Sequence, residues 1–143
     1  MGKRYFTLAE ANELVPWLER SLGQVLRLRA SLRTAAVELE RLGHPLTEES
    51  MAADGGPPEL ASARARARGL IEALGDALGE LLGAGVEVKD LETGLCDFVA
   101  RRDGRDIYLC WRLGEKQIEH WHELGAGFGG RQPLDTGAAR LLH

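Results

Sequence analysis

Apolar residues recur at intervals of three and four through two long stretches in the first part of the chain. Thr7 and Glu10 precede the first stretch and fit a capping box, in which a hydroxyl and an acid satisfy free amides at a helix start. Pro16 lacks the N–H that a helix interior requires. We therefore expect a short helix over residues 8–14 and a long one over residues 16–42.

A segment rich in Gly, Pro and acidic residues, 43–59, predicts a loop between the two stretches. A second helix is expected to begin near Pro58, so that an antiparallel hairpin spans residues 8–84. The apolar stripes continue to the far ends of the hairpin, near Leu39 and Leu60. A small partner layer would leave those ends uncovered, and we expect a homo-oligomer, most simply a dimer, to bury them.

Small and charged residues on the predicted helices allow several interpretations. Gly75, Gly79 and Gly83 stand four apart, which fits either close approach of another backbone or compositional drift in an Ala/Gly/Leu-rich sequence. The arginines between 64 and 68 form no single stripe at 100° per residue and are expected on a solvated surface. With a net charge of -4, these features argue against a nucleic-acid partner.

The chain after residue 85 changes to the two-residue period of β-strands. Residues 86–90 predict one strand, and Asp103-Gly104 predicts a hairpin turn. A two-residue turn there sets Cys96 opposite Trp111 and places Cys96 and Cys110 on opposite sheet faces. That register predicts two free thiols, because side chains on opposite faces cannot form a disulfide.

Together these patterns predict an α+β fold in a single domain, 1–143. A long antiparallel helical hairpin packs against a small antiparallel β-sheet, a meander within 86–124, and a Gly-rich loop and tail follow over 125–143. No apolar run is long enough for a membrane span, and the opening residues "MGKRYFTL" lack the apolar region of a signal peptide, so we do not expect secretion. Two cysteines suit a reducing compartment, so we expect a cytoplasmic protein.

Four short motifs in the second half of the chain carry a family resemblance. They are Thr93-Gly94-Leu95, Tyr108 to Leu113, Trp121-His122-Glu123 and Gly127 to Pro133. With the opening "YFTLAEANELVPWL", they make the chain resemble a bacterial family known as domain of unknown function 2203. The resemblance implies a small cytosolic bacterial protein and carries no activity, substrate or cofactor.

The stretch "HWHE" contains the candidate metal ligands His120, His122 and Glu123. In a strand the two histidines share a face, whereas in a helix His120 would instead lie near Glu123. Zinc, iron or manganese would need a further ligand, which Cys96, Asp97, Asp90 or a partner chain would supply. The other interpretation is that the histidines are structural and hydrogen-bond backbone or carboxylate groups. Cys110 is expected on the face opposite the histidines, which leaves no Cys–His pair.

The glycine loop "GAGFGG" matches a dinucleotide-binding pattern, but too little chain follows it for a βαβ unit. Its amides would suit an anion, with Arg131 as counter-charge, or the glycines simply allow a tight turn. We expect Arg131 to pair with Glu123 or Asp97 and to close the loop over a polar pocket. The residues expected to form that pocket are Trp121, His122, Glu123, Arg131, Asp97 and Arg112.

No catalytic motif is present, which argues against an enzyme. The preferred function is a non-enzymatic binding or assembly module that self-associates through its helices and holds a polar pocket in its C-terminal part. The alternative is a metal-binding or metal-dependent protein that uses the His-Trp-His-Glu stretch. A third hypothesis is an anion or phosphoester binder built on residues 125–131 and Arg131.

Overall fold

The computed structural model describes residues 4–134, and the last part of the predicted tail, 135–143, lies outside the described residues. The helices are α1 (Leu8–Arg41), α2 (Glu48–Ala52) and α3 (Pro58–Gly83), and a 3-10 turn covers Phe128–Gly130. The strands are β1 (Glu87–Asp90), β2 (Leu95–Arg102), β3 (Arg105–Arg112), β4 (His120–Glu123) and β5 (Gln132–Pro133). The α+β class is confirmed.

The contacts divide the chain into two compact units. One, here called the helical unit, is Gly23–Gly79. The other, the sheet unit, combines the chain up to Leu22 with the chain from Glu80 onward. Over residues 4–134, neither unit has a helix with the length and apolar character needed to cross a bilayer.

Helix α1 begins with the predicted capping box. The Thr7 amide donates to Glu10 Oε1 at 2.8 Å, and the Glu10 amide donates to Thr7 Oγ1 at 3.0 Å. The helix then continues through Pro16, so the predicted break is wrong. A proline costs a helix interior about 3 kcal/mol, but the buried side chains of Val15 and Leu18 flank it on the same helix. Their burial opposes that cost.

The sheet is an antiparallel meander with the strand order β1-β2-β3-β4-β5. Asp103 and Gly104 both have positive φ, 53° and 77°, as a type I′ turn requires. The register pairs Cys96 with Trp111, as predicted. One face carries the buried core residues Cys96, Phe98, Ala100, Ile107, Leu109 and Trp111.

Gly94 fixes the other end of the β2–β3 pair. Its φ is +68°, and a Cβ placed on it would lie 2.6 Å from Leu113 Cβ. Its carbonyl accepts a hydrogen bond of 3.0 Å from the Leu113 amide. A side chain at position 94 would therefore collide with Leu113, which follows β3, and only glycine allows the two chains to remain hydrogen-bonded at this point.

The predicted loop over 43–59 is partly ordered as α2 and covers the ends of the apolar stripes. Leu39 and Leu60 are buried in a cluster with Leu46 and Met51 packed against it. The expectation that these ends are uncovered is therefore wrong, because the intervening segment folds over them.

Two arginines of α3 attach this segment. Arg64 Nη1 donates to the Gly55 carbonyl at 2.9 Å, and Arg68 donates to the carbonyls of Met51, at 2.7 Å, and Ala53. Arg64 is buried. The prediction that these arginines lie on a solvated surface is therefore wrong for Arg64 and Arg68, since backbone carbonyls of the segment bind their guanidinium groups.

Candidate functional site

One face of the sheet carries a row of polar side chains across four strands. The register sets Glu87 opposite Asp97, Asp97 opposite Cys110, and Cys110 opposite His120. Directly opposed residues in antiparallel strands point to the same side, and so do alternate residues along a strand. His122 therefore joins this row, opposite Tyr108. We call this side of the sheet the polar face.

Asp97, Cys110 and His122 converge on the polar face. One ligand atom from each of these three side chains lies within 4.8 Å of the other two. His122 Nε2 lies 3.1 Å from each carboxylate oxygen of Asp97. All three residues are buried, with at most 2% of each exposed.

Hydrogen-bond geometry determines how many protons the Asp97–His122 pair holds. His122 Nδ1 lies 2.7 Å from the Glu123 carbonyl oxygen, which only accepts, so Nδ1 carries a proton. Nε2 faces a carboxylate, and a hydrogen bond there needs one more proton between the two groups. The pair is thus either imidazolium with carboxylate or imidazole with carboxylic acid. In both forms it has no net charge, which suits its burial.

Burial raises the pKa of the Asp97 carboxyl, while the His122 ring opposes that shift. Burial also raises the pKa of the Cys110 thiol to about 12, and the neighbouring Asp97 carboxylate adds to the shift. Cys110 is therefore a protonated thiol at neutral pH. Both nitrogens of His122 are engaged by other groups, so His122 is not arranged as a general base for this thiol.

The donor set and spacing suit a divalent transition metal. Four-coordinate sites with bonds of about 2.0–2.3 Å place neighbouring ligand atoms about 3.3–3.8 Å apart. The 3.1 Å between Nε2 and Asp97 needs only a small expansion to reach that range. The bond from Nδ1 to a backbone carbonyl is the support that metal-binding histidines usually have on their second nitrogen.

Tyr108 borders the site, with its ring centroid 5.3 Å from that of His122. Its hydroxyl donates to Glu87 Oε1 at 2.9 Å, and Lys89 Nζ donates to the same oxygen at 2.8 Å. Lys89 also lies 4.5 Å from the centroid of the Tyr108 ring. These contacts hold Tyr108 in place beside His122.

The sequence led us to expect that Arg131 pairs with Glu123 or Asp97, and this prediction is wrong. Its Nη2 donates to both carboxylate oxygens of Glu115, at 2.8 and 2.9 Å. Glu115 Oε1 also accepts from the Arg112 amide at 2.7 Å. Glu115 therefore neutralises the arginine that an anion at the glycine loop would need as its counter-charge.

The other predicted pocket residues separate. Trp121 and Glu123 lie on the face opposite His120 and His122, because alternate residues of β4 point to opposite sides. Arg102 covers the Trp121 ring at 4.1 Å, and Glu123 binds Arg105 at 2.8 Å. Of the six side chains, Asp97 and His122 bind each other, while Arg112 and Arg131 both lie over the Phe128 ring.

Among the three predicted metal ligands, His120 and His122 share the polar face, and β4 is a strand, which settles the open choice between strand and helix. Glu123 points to the other side. The prediction that Cys110 and the histidines lie on different faces of the sheet is wrong, because Cys110 is paired directly with His120 and shares its face. Extending the β2–β3 register into β4 would have found this cysteine, but the connection between β3 and β4 is too long for its sequence to set that register.

His120 lies at the edge of the site. Its Nδ1 is a buried atom without a hydrogen-bond partner in the described chain, 3.9 Å from Glu115 Oε2. The side chain as a whole is 33% exposed. His120 lines a cleft of about 450 Å³ together with Leu8, Asn12, Gln117, Ile118, Glu119, Pro133 and Leu134.

No curated protein and no solved structure matches the chain. Residues 4–134 match the family described as "Uncharacterized conserved protein (DUF2203)". This match covers both units and every residue of the polar face described above. The chain belongs to the DUF2203 family.

Proposed function

We propose that this protein is a metal-binding module that holds one divalent transition metal between Asp97, Cys110 and His122. The observation that carries the proposal is the convergence of three ligand atoms within 4.8 Å on three different strands. Because β2, β3 and β4 are hydrogen-bonded neighbours, the sheet itself positions the donors. Such a rigid arrangement is what a preorganised metal site requires.

The donor types favour zinc among the metals expected from the sequence. A thiolate and an imidazole bind zinc well, whereas manganese prefers oxygen ligands. Three protein donors leave one of four positions for water or another ligand. Binding would remove the thiol proton of Cys110 and the proton shared by Asp97 and His122, and the metal would replace both.

The test is a titration of tag-free protein with Co²⁺, which reports a thiolate ligand through a charge-transfer absorption band in the near ultraviolet. We expect a stoichiometric band in the wild type and in Cys96→Ala, and no band in Cys110→Ala. Cys96 is a matched control, because it is also buried but lies on the core face. Absence of the band from the wild type, or its loss in Cys96→Ala alone, would refute the proposal. Elemental analysis of protein from cells identifies the native metal.

Self-association through the helical unit is a second proposal. The sequence suggested it through uncovered stripe ends near Leu39 and Leu60, but both residues are buried within the helical unit. Other observations support it: Val37 is 68% and Ile71 42% exposed, and Leu32, Leu74 and Leu78 are only half-buried. A second copy would cover apolar surface that two helices leave open. A Cβ at Gly75 or Gly79 would meet no described atom within 4 Å, which leaves room for a neighbouring helix.

A further inference from the structure

A metal ion bound by Asp97, Cys110 and His122 needs a route to them, because all three side chains are enclosed. Tyr108 borders one side of the site. Arg131 lies on another, since its Nη2 is 3.5 Å from the Cys110 carbonyl oxygen. His120 lies directly across the strand pair from Cys110. Of these neighbours, His120 also lines the cleft described above.

His120 therefore contacts two environments. Its Nδ1 is buried and lacks a hydrogen bond within residues 4–134, while a third of its side chain is exposed. A buried polar atom without a partner costs about 1–3 kcal/mol, and a transient ligand would relieve that cost. Glu115 Oε2 lies 3.9 Å from this nitrogen. This separation slightly exceeds the distance of about 3.3–3.8 Å between neighbouring ligand atoms of a four-coordinate site, so a small adjustment would let both side chains bind one ion.

We propose that His120 and Glu115 form a transfer site, at which a divalent transition metal from the cleft binds before it moves to Cys110 and the buried pair. This inference rests on the proposed metal-binding function. Glu119 also lines the cleft and adds negative charge at its rim. The transfer site would be weak, because Arg131 already occupies both carboxylate oxygens of Glu115. Weak binding is what transfer requires, since the ion must leave again.

The test measures the rate of Co²⁺ uptake in stopped flow, through growth of the thiolate charge-transfer band. In His120→Ala we expect the final band and the affinity to stay within about twofold of wild type, while uptake becomes at least about tenfold slower. His120→Gln, which keeps a polar side chain, should also be slow. His44→Ala is the matched control, because His44 is an exposed histidine of the helical unit, and its uptake should equal that of the wild type.

The outcomes separate the two proposals. A wild type without any band overturns both. A wild-type band with equal uptake rates in His120→Ala overturns the transfer site alone. Loss of the final band in both His120 variants, with circular dichroism unchanged, would make His120 a ligand of the final site and would also overturn the transfer role.

Discussion

At the scale of single residues, the central feature is a buried acid and base that neutralise each other. Asp97 and His122 share one proton, and the Glu123 carbonyl fixes the tautomer of the ring. A buried pair of this kind contributes little net stability, because desolvation offsets its attraction. Removal of one partner, however, leaves the atoms that faced it buried without that hydrogen bond. The pair is therefore suited to bind a metal ion that replaces the shared proton.

Substitutions at this pair should separate folding from metal binding. Asp97→Asn keeps a donor toward His122 Nε2, so we expect the free energy of unfolding to change by about 1 kcal/mol or less, with Co²⁺ binding lost. His122→Ala leaves the Asp97 carboxyl buried without its partner and should cost about 2–4 kcal/mol. Urea denaturation and the cobalt band measure both effects. Equal destabilisation by the two substitutions would contradict the proton assignment.

The metal affinity should depend on pH through Cys110. Burial raises the pKa of its thiol to about 12, so the thiol is protonated throughout the neutral range and must lose its proton to bind. We therefore expect the dissociation constant for Co²⁺ to fall about tenfold per pH unit, for each proton displaced, as the pH rises. Cys110→Ala lacks the thiolate band, so its residual Co²⁺ binding is followed by calorimetry, and it should show a smaller slope. A pH-independent affinity in the wild type would be inconsistent with thiolate ligation.

At the scale of elements, the segment between α1 and α3 is held by arginine donors to backbone carbonyls. Thr47 Oγ1 accepts from the Ser50 amide at 3.0 Å and caps α2. Arg68 binds carbonyls at the end of α2, and Arg64 binds the Gly55 carbonyl beyond it. A charged donor to a carbonyl contributes about 1.5–3 kcal/mol when it is shielded from water. The segment therefore covers Leu39 and Leu60 although its own helix has five residues.

Removal of Arg64 should release this segment. We expect Arg64→Ala to lower the free energy of unfolding by about 1–3 kcal/mol and to increase proteolytic cleavage within residues 43–57. Arg66→Ala is the control, because Arg66 is exposed, and it should change stability by about 0.5 kcal/mol or less. Equal cleavage rates in the two variants would show that the guanidinium contact does not hold the segment.

At the scale of the whole molecule, the proposed self-association depends on exposed apolar side chains of the helical unit. We expect sedimentation to show a dimer whose dissociation constant rises by about tenfold or more in Ile71→Glu, since burial of a charge opposes assembly. Ser31→Glu, which adds the same charge at an exposed polar position of α1, should have a smaller effect. A wild type that remains monomeric at high concentration would refute the proposal.

Local patterns in the sequence determined the fold class, the capping box at Thr7, the turn at Asp103-Gly104 and the opposite faces of the two cysteines. Each depends on residues close together in the chain, or on a two-residue turn that fixes a register. The continuity of α1 through Pro16 was decided by burial on both sides of the proline, which no local rule contains. The cover over Leu39 and Leu60 likewise required the folded segment.

The candidate site was only partly accessible to such reasoning. His120, His122 and Asp97 are recognisable by residue type, and a strand places the two histidines on one face. Cys110 lies beside them only because β4 pairs with β3. The connection between those two strands is long, so side-chain packing rather than the turn sets their register. Arg131 pairs with Glu115 rather than Asp97, because the Asp97 carboxylate is already hydrogen-bonded to His122. The sequence by itself determined which donors exist, and the tertiary structure decided which of them meet, because contacts between distant strands depend on the packing of the whole sheet.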